Sequence, residues 1–200
     1  MVEHDRHGAK QPHRFDPARA GVLDDRSRFE YLPPDEVFAL LAAPPGATVV
    51  DFGTGTGTYA IELARARPDL RVVALDEQQV MLDKLAGKLA SRPLDNLVPT
   101  LARTPEARAL EGRVDRVLAL NVLHELGDQA LQELLALPHR NGQVLFVDWS
   151  ASVEREVGPP RDHVYTPEEA VARLKALGFG VEGQRLFRYH HALWGRSRAQ

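Results

Sequence analysis

Short apolar runs alternate with amphipathic segments along most of the chain. Runs rich in β-branched and apolar residues predict seven strands, over 47–52, 70–75, 97–101, 115–120, 143–149, 181–187 and 189–194. The last two runs have no helix between them, so they should form a hairpin. The regular alternation before them predicts an α/β fold: a single-domain, Rossmann-like three-layer sandwich with a seven-stranded, mostly parallel sheet and a C-terminal antiparallel hairpin.

Helix-capping and helix-terminating residues support the predicted helices between these strands. Apolar residues at helical spacing predict helices over 17–23, 35–41, 59–67 and 79–89, a fifth from an N-cap at Asp128 to before Pro138, and a sixth from the capping box at Thr166 to Gly178. Residues 1–32 are charged and irregular, and we expect this N-terminal arm to form part of a cover over a cofactor and substrate site. Residues 33–200 would then form the domain.

Composition restricts the classes of function. The 200 residues include no cysteine and carry a formal charge of −3, which excludes a disulfide framework, thiolate metal sites and a cysteine nucleophile. His4, His7 and His13 lie in a polar arm, so we expect no metal site. The start of the chain does not look like a signal peptide, and the apolar runs are too short to cross a membrane. We therefore expect a cytoplasmic monomer or homodimer with a small-molecule substrate and no nucleic-acid partner, because basic stripes with interleaved aromatic residues are missing.

The segment V-V-D-F-G-T-G-T-G-T, residues 49–58, lies between a predicted strand and a predicted helix. Its glycines would let the backbone turn sharply and approach a ligand, although a purely structural turn is the alternative. A dinucleotide fingerprint requires glycine at the sixth position, where this chain has Thr58. Asp51, just before the loop, suits a ligand with a cationic amino group. The loop therefore favours S-adenosylmethionine over a nicotinamide dinucleotide.

A second acidic residue, Asp76, ends the next predicted strand. A carboxylate at that position can accept hydrogen bonds from both hydroxyl groups of a ribose. A helix cap is the common alternative for a lone aspartate after a strand. Because Asp76 occurs together with the glycine loop, the ribose contact is favoured over the helix cap.

Three motifs in this order resemble those of the class I S-adenosylmethionine-dependent methyltransferases. They are D-F-G-T-G-T-G, V-V-A-L-D-E-Q-Q-V-M-L and D-R-V-L-A-L-N-V-L-H-E-L. With H-R-F-D-P, L-P-P-D-E-V, V-D-W and G-P-P, the chain looks similar, over about residues 13–195, to small bacterial members related to the ubiquinone/menaquinone-biosynthesis methyltransferases.

The resemblance implies roles for individual residues. Asp51 and the loop residues Gly53, Thr54, Gly55 and Gly57 would hold the methionine part of S-adenosylmethionine. Around the adenosine, the resemblance places Asp76, Glu77, Gln78, Met81 and Thr104, with Asn121 facing the methionine or sulfonium end. Many relatives have an acidic residue at the adenine amino group, where this chain has Arg103 and Thr104.

The expected reaction is transfer of the methyl group to a small molecule by in-line displacement, which leaves S-adenosylhomocysteine. His124 is the predicted general base, since it follows Asn121 closely and titrates near neutral pH, although it could merely shape the pocket beside Glu125. Two alternatives remain: an NAD(P)-dependent oxidoreductase and a non-catalytic S-adenosylmethionine-binding protein.

Around the acceptor, we expect contributions from several separate segments. The predicted walls and covers are Asp148 and Trp149 at the end of a strand, His163 and Tyr165 in a lid connection, and Phe15 and Tyr31 in the arm.

Overall fold

A seven-stranded sheet forms the middle layer of the protein. The computed structural model describes residues 15–197, so His4, His7 and His13 lie outside the described residues. The strands are β1 (Thr48–Phe52), β2 (Arg71–Asp76), β3 (Leu97–Leu101), β4 (Val114–Leu120), β5 (Pro138–Trp149), β6 (Phe179–Leu186) and β7 (His190–Ser197). Their order is β3-β2-β1-β4-β5-β7-β6, with β1 to β5 parallel and β7 antiparallel to both neighbours. The predicted fold class is confirmed.

Helices cover both faces of this sheet. The α-helices are α1 (Pro34–Leu41), α2 (Thr58–Ala66), α3 (Gln79–Ser91), α4 (Pro105–Arg108), α5 (Asp128–Leu135) and α6 (Pro167–Ala176). Side chains alternate between the faces along each strand. On β1, Val49 packs on the side of α1 and α2, and Val50 packs on the side of α5 and α6. Two apolar cores therefore lie on opposite sides of one sheet.

The strand β5 begins earlier than the sequence predicts. Gly142, just before the predicted strand over 143–149, lies inside β5. Pro138 pairs with Val114 and Gln143 pairs with Arg116, so the chain bulges between the two pairs. A Cβ atom on Gly142 would lie 2.6 Å from the carbonyl oxygen of Val114. The glycine therefore permits a close backbone approach within a bulged strand.

Smaller differences concern the helix ends and the N-terminal arm. Gly127 is the N-cap of α5, and Asp128 is its first helical residue rather than the predicted cap. A carboxylate in the first turn still interacts favourably with the helix dipole. The short helix α4 was not predicted. Within the arm, the predicted helix over 17–23 is a 3-10 helix, Pro17–Asp24, and a second one follows over Arg26–Glu30.

The topology determines where a ligand site can form. From β1 the chain runs outwards to β2 and β3, and it then returns to β4 on the other side of β1. The loops after β1 and β4 therefore diverge and leave a crevice at the carboxyl ends of these strands. None of the helices described within 15–197 has the length and apolar character needed to cross a membrane.

Candidate functional site

A cavity of about 310 Å³ lies in this crevice. Loops after β1, β2, β3 and β4, together with the N-terminal arm, line it. Most of the residues that sequence analysis assigned to the cofactor are on its wall: Asp51, Gly53, Thr54, Gly55, Asp76, Glu77, Gln78, Met81 and Asn121. The crevice therefore brings together side chains from three strand ends.

The glycine loop after β1 is compact because other chain segments touch its backbone. Gly53 has a φ of +71°, and a Cβ atom there would lie 2.6 Å from Cγ1 of Val122. The backbone N–H groups of Gly53 and Thr54 both donate to the carbonyl of Leu75, at 2.8 and 3.0 Å. The loop is thereby tied to β2, and glycine backbone forms part of the cavity wall.

Asp51 is a buried carboxylate on the cavity wall. Its residue exposure is 3%, and the Thr54 hydroxyl donates to it at 2.6 Å. Burial, with the like charge of Asp76 adding to it, raises the pKa of Asp51 to about 6. A cationic group would stabilise the charged form of this carboxylate. The amino group of S-adenosylmethionine fits that requirement.

Asp76 organises the neighbouring part of the wall. Its Oδ2 accepts a hydrogen bond from the Gly55 N–H at 2.8 Å, and its Oδ1 accepts one from the Gln78 N–H at 2.8 Å. Each carboxylate oxygen has more than one lone pair, so these bonds leave acceptor capacity for a ligand hydroxyl. The Gln78 side chain donates to the carbonyl of Phe15 at 3.1 Å, which fixes the arm against the same loop.

Asn121 supplies a further acceptor. It has a φ of +58°, a left-handed conformation that asparagine tolerates better than most residues, and its N–H donates to the carbonyl of Val147 at 2.7 Å. Its side-chain Oδ1 is buried and has no hydrogen-bond partner among the described residues. An orphaned buried acceptor is costly unless a ligand donor satisfies it. Together with Asp51 and Asp76, it gives the cavity a set of acceptors that matches an amino group and ribose hydroxyls.

Two predicted cofactor residues have structural roles instead. Thr104 accepts from the Ala107 N–H as the N-cap of α4, and its hydroxyl donates to Leu101, outside the cavity. Gly57 has a φ of +78°, and a Cβ atom there would lie 2.5 Å from Leu85. Neither residue is on the cavity wall: Thr104 caps a helix, and Gly57 allows the loop to pack against α3.

The predicted base, His124, also lies outside the cavity wall. Its Nδ1 lies 2.8 and 3.0 Å from the two carboxylate oxygens of Asp148, and the His124 N–H donates to the same carboxylate at 2.9 Å. Burial opposes the charge of His124, but Asp148 raises its pKa above the usual value. Glu125, the next residue, does line the cavity. The structure therefore places Glu125, rather than His124, on the cavity wall.

The acceptor-side predictions have mixed outcomes. Phe15 lines the cavity. Tyr165 is buried, and its hydroxyl accepts a hydrogen bond from Arg173 at 2.9 Å, so it anchors the core rather than a lid. Trp149 is buried beneath the segment after β5, where its ring contacts that of His190 with centroids 4.1 Å apart and an angle of 34° between the planes. His163 is exposed.

Sequence reasoning missed several residues of the wall. Arg28 reaches the cavity from the arm, and Glu133 reaches it from α5, where it pairs with Arg103 at 3.5 Å. Arg103 has a φ of +65°, which is uncommon outside glycine and asparagine. Amphipathic periodicity places Glu133 on the polar side of α5, but no local signal indicates that this side faces a cavity.

Comparison with known proteins assigns the family. A family model described as a methyltransferase domain matches residues 49–152, just over half of the chain. The chain belongs to this methyltransferase family. A crystal structure of a SAM dependent methyltransferase from Aquifex aeolicus has a TM-score of 0.82 and 27% identity, and it covers 91% of this chain and 98% of that one. The predicted class, an S-adenosylmethionine-dependent methyltransferase, and its cofactor are confirmed. The oxidoreductase alternative is set aside.

The relatives of this methyltransferase domain also correct one prediction. The 16S rRNA (adenine(1408)-N(1))-methyltransferase of Streptoalloteichus tenebrarius is 34% identical over 67 residues, which is 34% of this chain and 31% of that protein. A crystal structure of a mutant of the same-named enzyme from Catenulisporales acidiphilia has a TM-score of 0.61 and 28% identity, covering 82% of this chain and 91% of that one. These relatives are named for a nucleic-acid substrate, so the predicted exclusion of nucleic-acid partners is wrong.

The coverage of curated relatives is partial. The chain spans 31%, 25% and 27% of the length of three of them. The similarity to these relatives therefore covers only part of each of them.

Proposed function

We propose that the protein transfers a methyl group from S-adenosylmethionine to an acceptor by in-line displacement. The observation that carries the proposal is the cavity wall, where the buried carboxylate of Asp51, the carboxylate of Asp76 and Asn121 line one space. Asp51 and Asn121 would hold the amino acid part, and Asp76 would bind the ribose. S-adenosylmethionine supplies an electrophilic methyl group on a sulfonium, so the chain's main tasks are alignment and exclusion of water.

We also propose that the arm covers the bound cofactor. Asp24, in the arm, accepts hydrogen bonds from the hydroxyls of Thr56 and Thr58 at 2.6 and 3.0 Å, and it forms an ion pair with Lys88. Leu23 lies on the cavity wall. These contacts support an arm that closes over the glycine loop and limits access of water to the reacting groups.

The finer proposal is a small-molecule acceptor. Five carboxylates and two guanidinium groups line the cavity, so the wall offers several hydrogen-bond acceptors to the hydroxyl groups of a small molecule. The resemblance to ubiquinone/menaquinone-biosynthesis methyltransferases favours a quinol-like acceptor among small molecules. A nucleic-acid acceptor, as named for the relatives, is the other outcome that the acceptor assay must allow.

Calorimetric titration with S-adenosylmethionine, S-adenosylhomocysteine and NAD tests the cofactor assignment. We expect the adenosyl ligands to bind and NAD not to. Asp76→Ala should weaken S-adenosylhomocysteine by about 10- to 200-fold, since hydrogen bonds to a charged group contribute about 1.5–3 kcal/mol. Asp83→Ala, on the exposed surface of α3, is the matched control. Because Asp76 also holds the loop, Asp76→Asn should be tested beside it, and wild-type affinity in both variants would remove the ribose assignment.

Mass spectrometry on a panel of acceptors tests the transfer itself. The panel contains catechol, a naphthohydroquinone and purified 30S ribosomal subunits. A methylated small molecule with unmodified RNA would support the finer proposal, whereas methylated RNA would overturn it. Binding of S-adenosylmethionine without methylation of any acceptor in a wider metabolite extract would favour the non-catalytic alternative.

A further inference from the structure

His124 and Glu125, two neighbouring residues after β4, differ in their position relative to the cavity. We infer that Glu125 is the general base that faces the acceptor, and that His124 and Asp148 behind it form a positioning pair. The inference rests on the proposed methyl transfer and deepens it. Its first support is placement, because Glu125 lines the cavity and the other two residues lie outside its wall.

The backbone around Glu125 is fixed from both sides. The Glu125 N–H donates to the carbonyl of Val122 at 2.9 Å, which closes a turn directly after Asn121. The carbonyl of Leu123 accepts from the buried guanidinium of Arg173 at 3.0 Å. A carboxylate on so constrained a turn presents its oxygens at a defined place beside the cofactor cavity, as a general base requires.

Both ring nitrogens of His124 are directed to carboxylates. Nδ1 contacts Asp148 at 2.8 Å, and Nε2 lies 3.7 Å from Oε1 of Glu125. The imidazole is buried, with a residue exposure of 6%, and unlike Glu125 it does not line the cavity. When the imidazole is protonated, its positive charge lies between the buried carboxylate of Asp148 and the carboxylate of Glu125 on the wall.

Burial and the surrounding charges give Glu125 a pKa that suits a general base near neutral pH. Burial raises the pKa of Glu125 to about 7, with Asp148, Asp76 and Glu77 adding to the rise and His124 opposing it. Arg155 lies near enough to oppose the charge on His124. At a pH above about 7, Glu125 is an anion that can accept a proton from a hydroxyl or another acidic group.

The chemical step then balances. A lone pair of the acceptor atom forms the bond to the methyl carbon as the carbon–sulfur bond breaks and its electrons go to sulfur. The acceptor's proton passes to the Glu125 carboxylate, and solvent removes it after the product leaves. No further oxidant, reductant or metal is required.

A comparison of two ligands tests this placement without any acceptor. S-adenosylmethionine carries a sulfonium charge that S-adenosylhomocysteine lacks, so ionised Glu125 should favour the first ligand. We expect the ratio of their affinities, measured by calorimetry, to rise roughly tenfold between about pH 6 and pH 8. In Glu125→Gln the ratio should be independent of pH, whereas the exposed control Glu111→Gln should behave as the wild type.

Carbon-13 NMR of protein labelled at the glutamate carboxyl carbons measures the titration itself. One resonance, absent from Glu125→Gln, should titrate near pH 7, and in His124→Asn its midpoint should move higher because the opposing charge is lost. A merely structural histidine would leave that midpoint unchanged. On whichever panel acceptor is methylated, Glu125→Gln should be slower by about 10²- to 10⁴-fold while retaining S-adenosylhomocysteine binding.

The outcomes separate the two proposals. If neither adenosyl ligand binds the wild type, the proposed function fails and the inference fails with it. If both ligands bind but their ratio is independent of pH, or if Glu125 titrates near the ordinary value of 4.5, only the role of Glu125 is overturned.

Discussion

Arg173, on α6, is buried with 2% exposure and connects that helix to the loop after β4. Its guanidinium donates to the carbonyls of Leu123 and Leu126 and to the hydroxyl of Tyr165, and it lies 3.4 Å from a carboxylate oxygen of Asp128. We predict that Arg173→Met, which preserves much of the apolar stem and suits a helix, destabilises the protein strongly.

The magnitude follows from the acceptors that this change leaves behind. An unsatisfied buried acceptor costs about 1–3 kcal/mol, and removing one partner of a buried ion pair costs about 3–5 kcal/mol. Leu126 and Asp128 are partly exposed, so water replaces some of the loss there. We therefore expect the free energy of unfolding to fall by about 3–5 kcal/mol. In a domain of this size, that corresponds to a Tm lower by about 6–20 °C.

Urea unfolding followed by tryptophan fluorescence, together with calorimetry, measures this loss. Arg113→Met is the matched control, because Arg113 is exposed and should tolerate the same replacement within about 0.5 kcal/mol. A loss below about 1 kcal/mol in Arg173→Met would show that the buried guanidinium contributes little more than a surface arginine. The free-energy cost assigned to the unsatisfied buried acceptors would then be wrong.

Three other substitutions change stability, with effects that differ in sign or in pH dependence. Gly57→Ala should lower the free energy of unfolding by about 1–3 kcal/mol, because Gly57 combines a φ of +78° with a close approach to Leu85. Gly87→Ala should raise it by about 0.5–1 kcal/mol, because Gly87 lies in the middle of α3 with open space around it. Urea unfolding measures both changes. Burial lowers the pKa of His190 to about 3. Below about pH 6.5 the unfolded chain therefore binds a proton that the folded chain does not, and the free energy of unfolding decreases as the pH is lowered. His190→Phe should make the loss of stability between about pH 7 and pH 5 smaller by about 2 kcal/mol, and an unchanged loss in urea titrations would contradict the burial argument.

Much of the cofactor side could be predicted because local pattern and topology agree there. Apolar runs identify the parallel strands, and the carboxyl ends of parallel strands meet at one edge of a sheet. Asp51 lies near the end of such a run, and Asp76 and Asn121 directly follow one, so their common location required no knowledge of distant contacts. The glycine loop adds a conformational signal, because only certain residues tolerate its backbone angles.

The errors on the same edge arise from side-chain direction. A residue placed after a strand has a known backbone location, but its side chain can turn to a local partner. Thr104 turns to the first turn of α4, and His124 turns to Asp148, which is 24 residues away in sequence. Glu125, one position further, faces the cavity instead. The turn in which the Glu125 N–H bonds to the carbonyl of Val122 determines which of the two side chains, His124 or Glu125, faces the cavity. Hydrophobic periodicity does not predict such a turn.

The region beside the cavity that covers Trp149 was still harder to predict, because its members come from separate parts of the chain. Trp149 ends β5, and the Arg155 guanidinium lies 5.3 Å from its ring. His190, at the start of β7, contacts the same ring at a tilted angle, and Tyr31 of the arm lies with its ring centroid 5.8 Å from that of Trp149. Each contact joins residues that no short sequence pattern relates. If acceptor selection depends on such tertiary contacts, relatives that share the 49–152 domain can differ in substrate while keeping the same cofactor site.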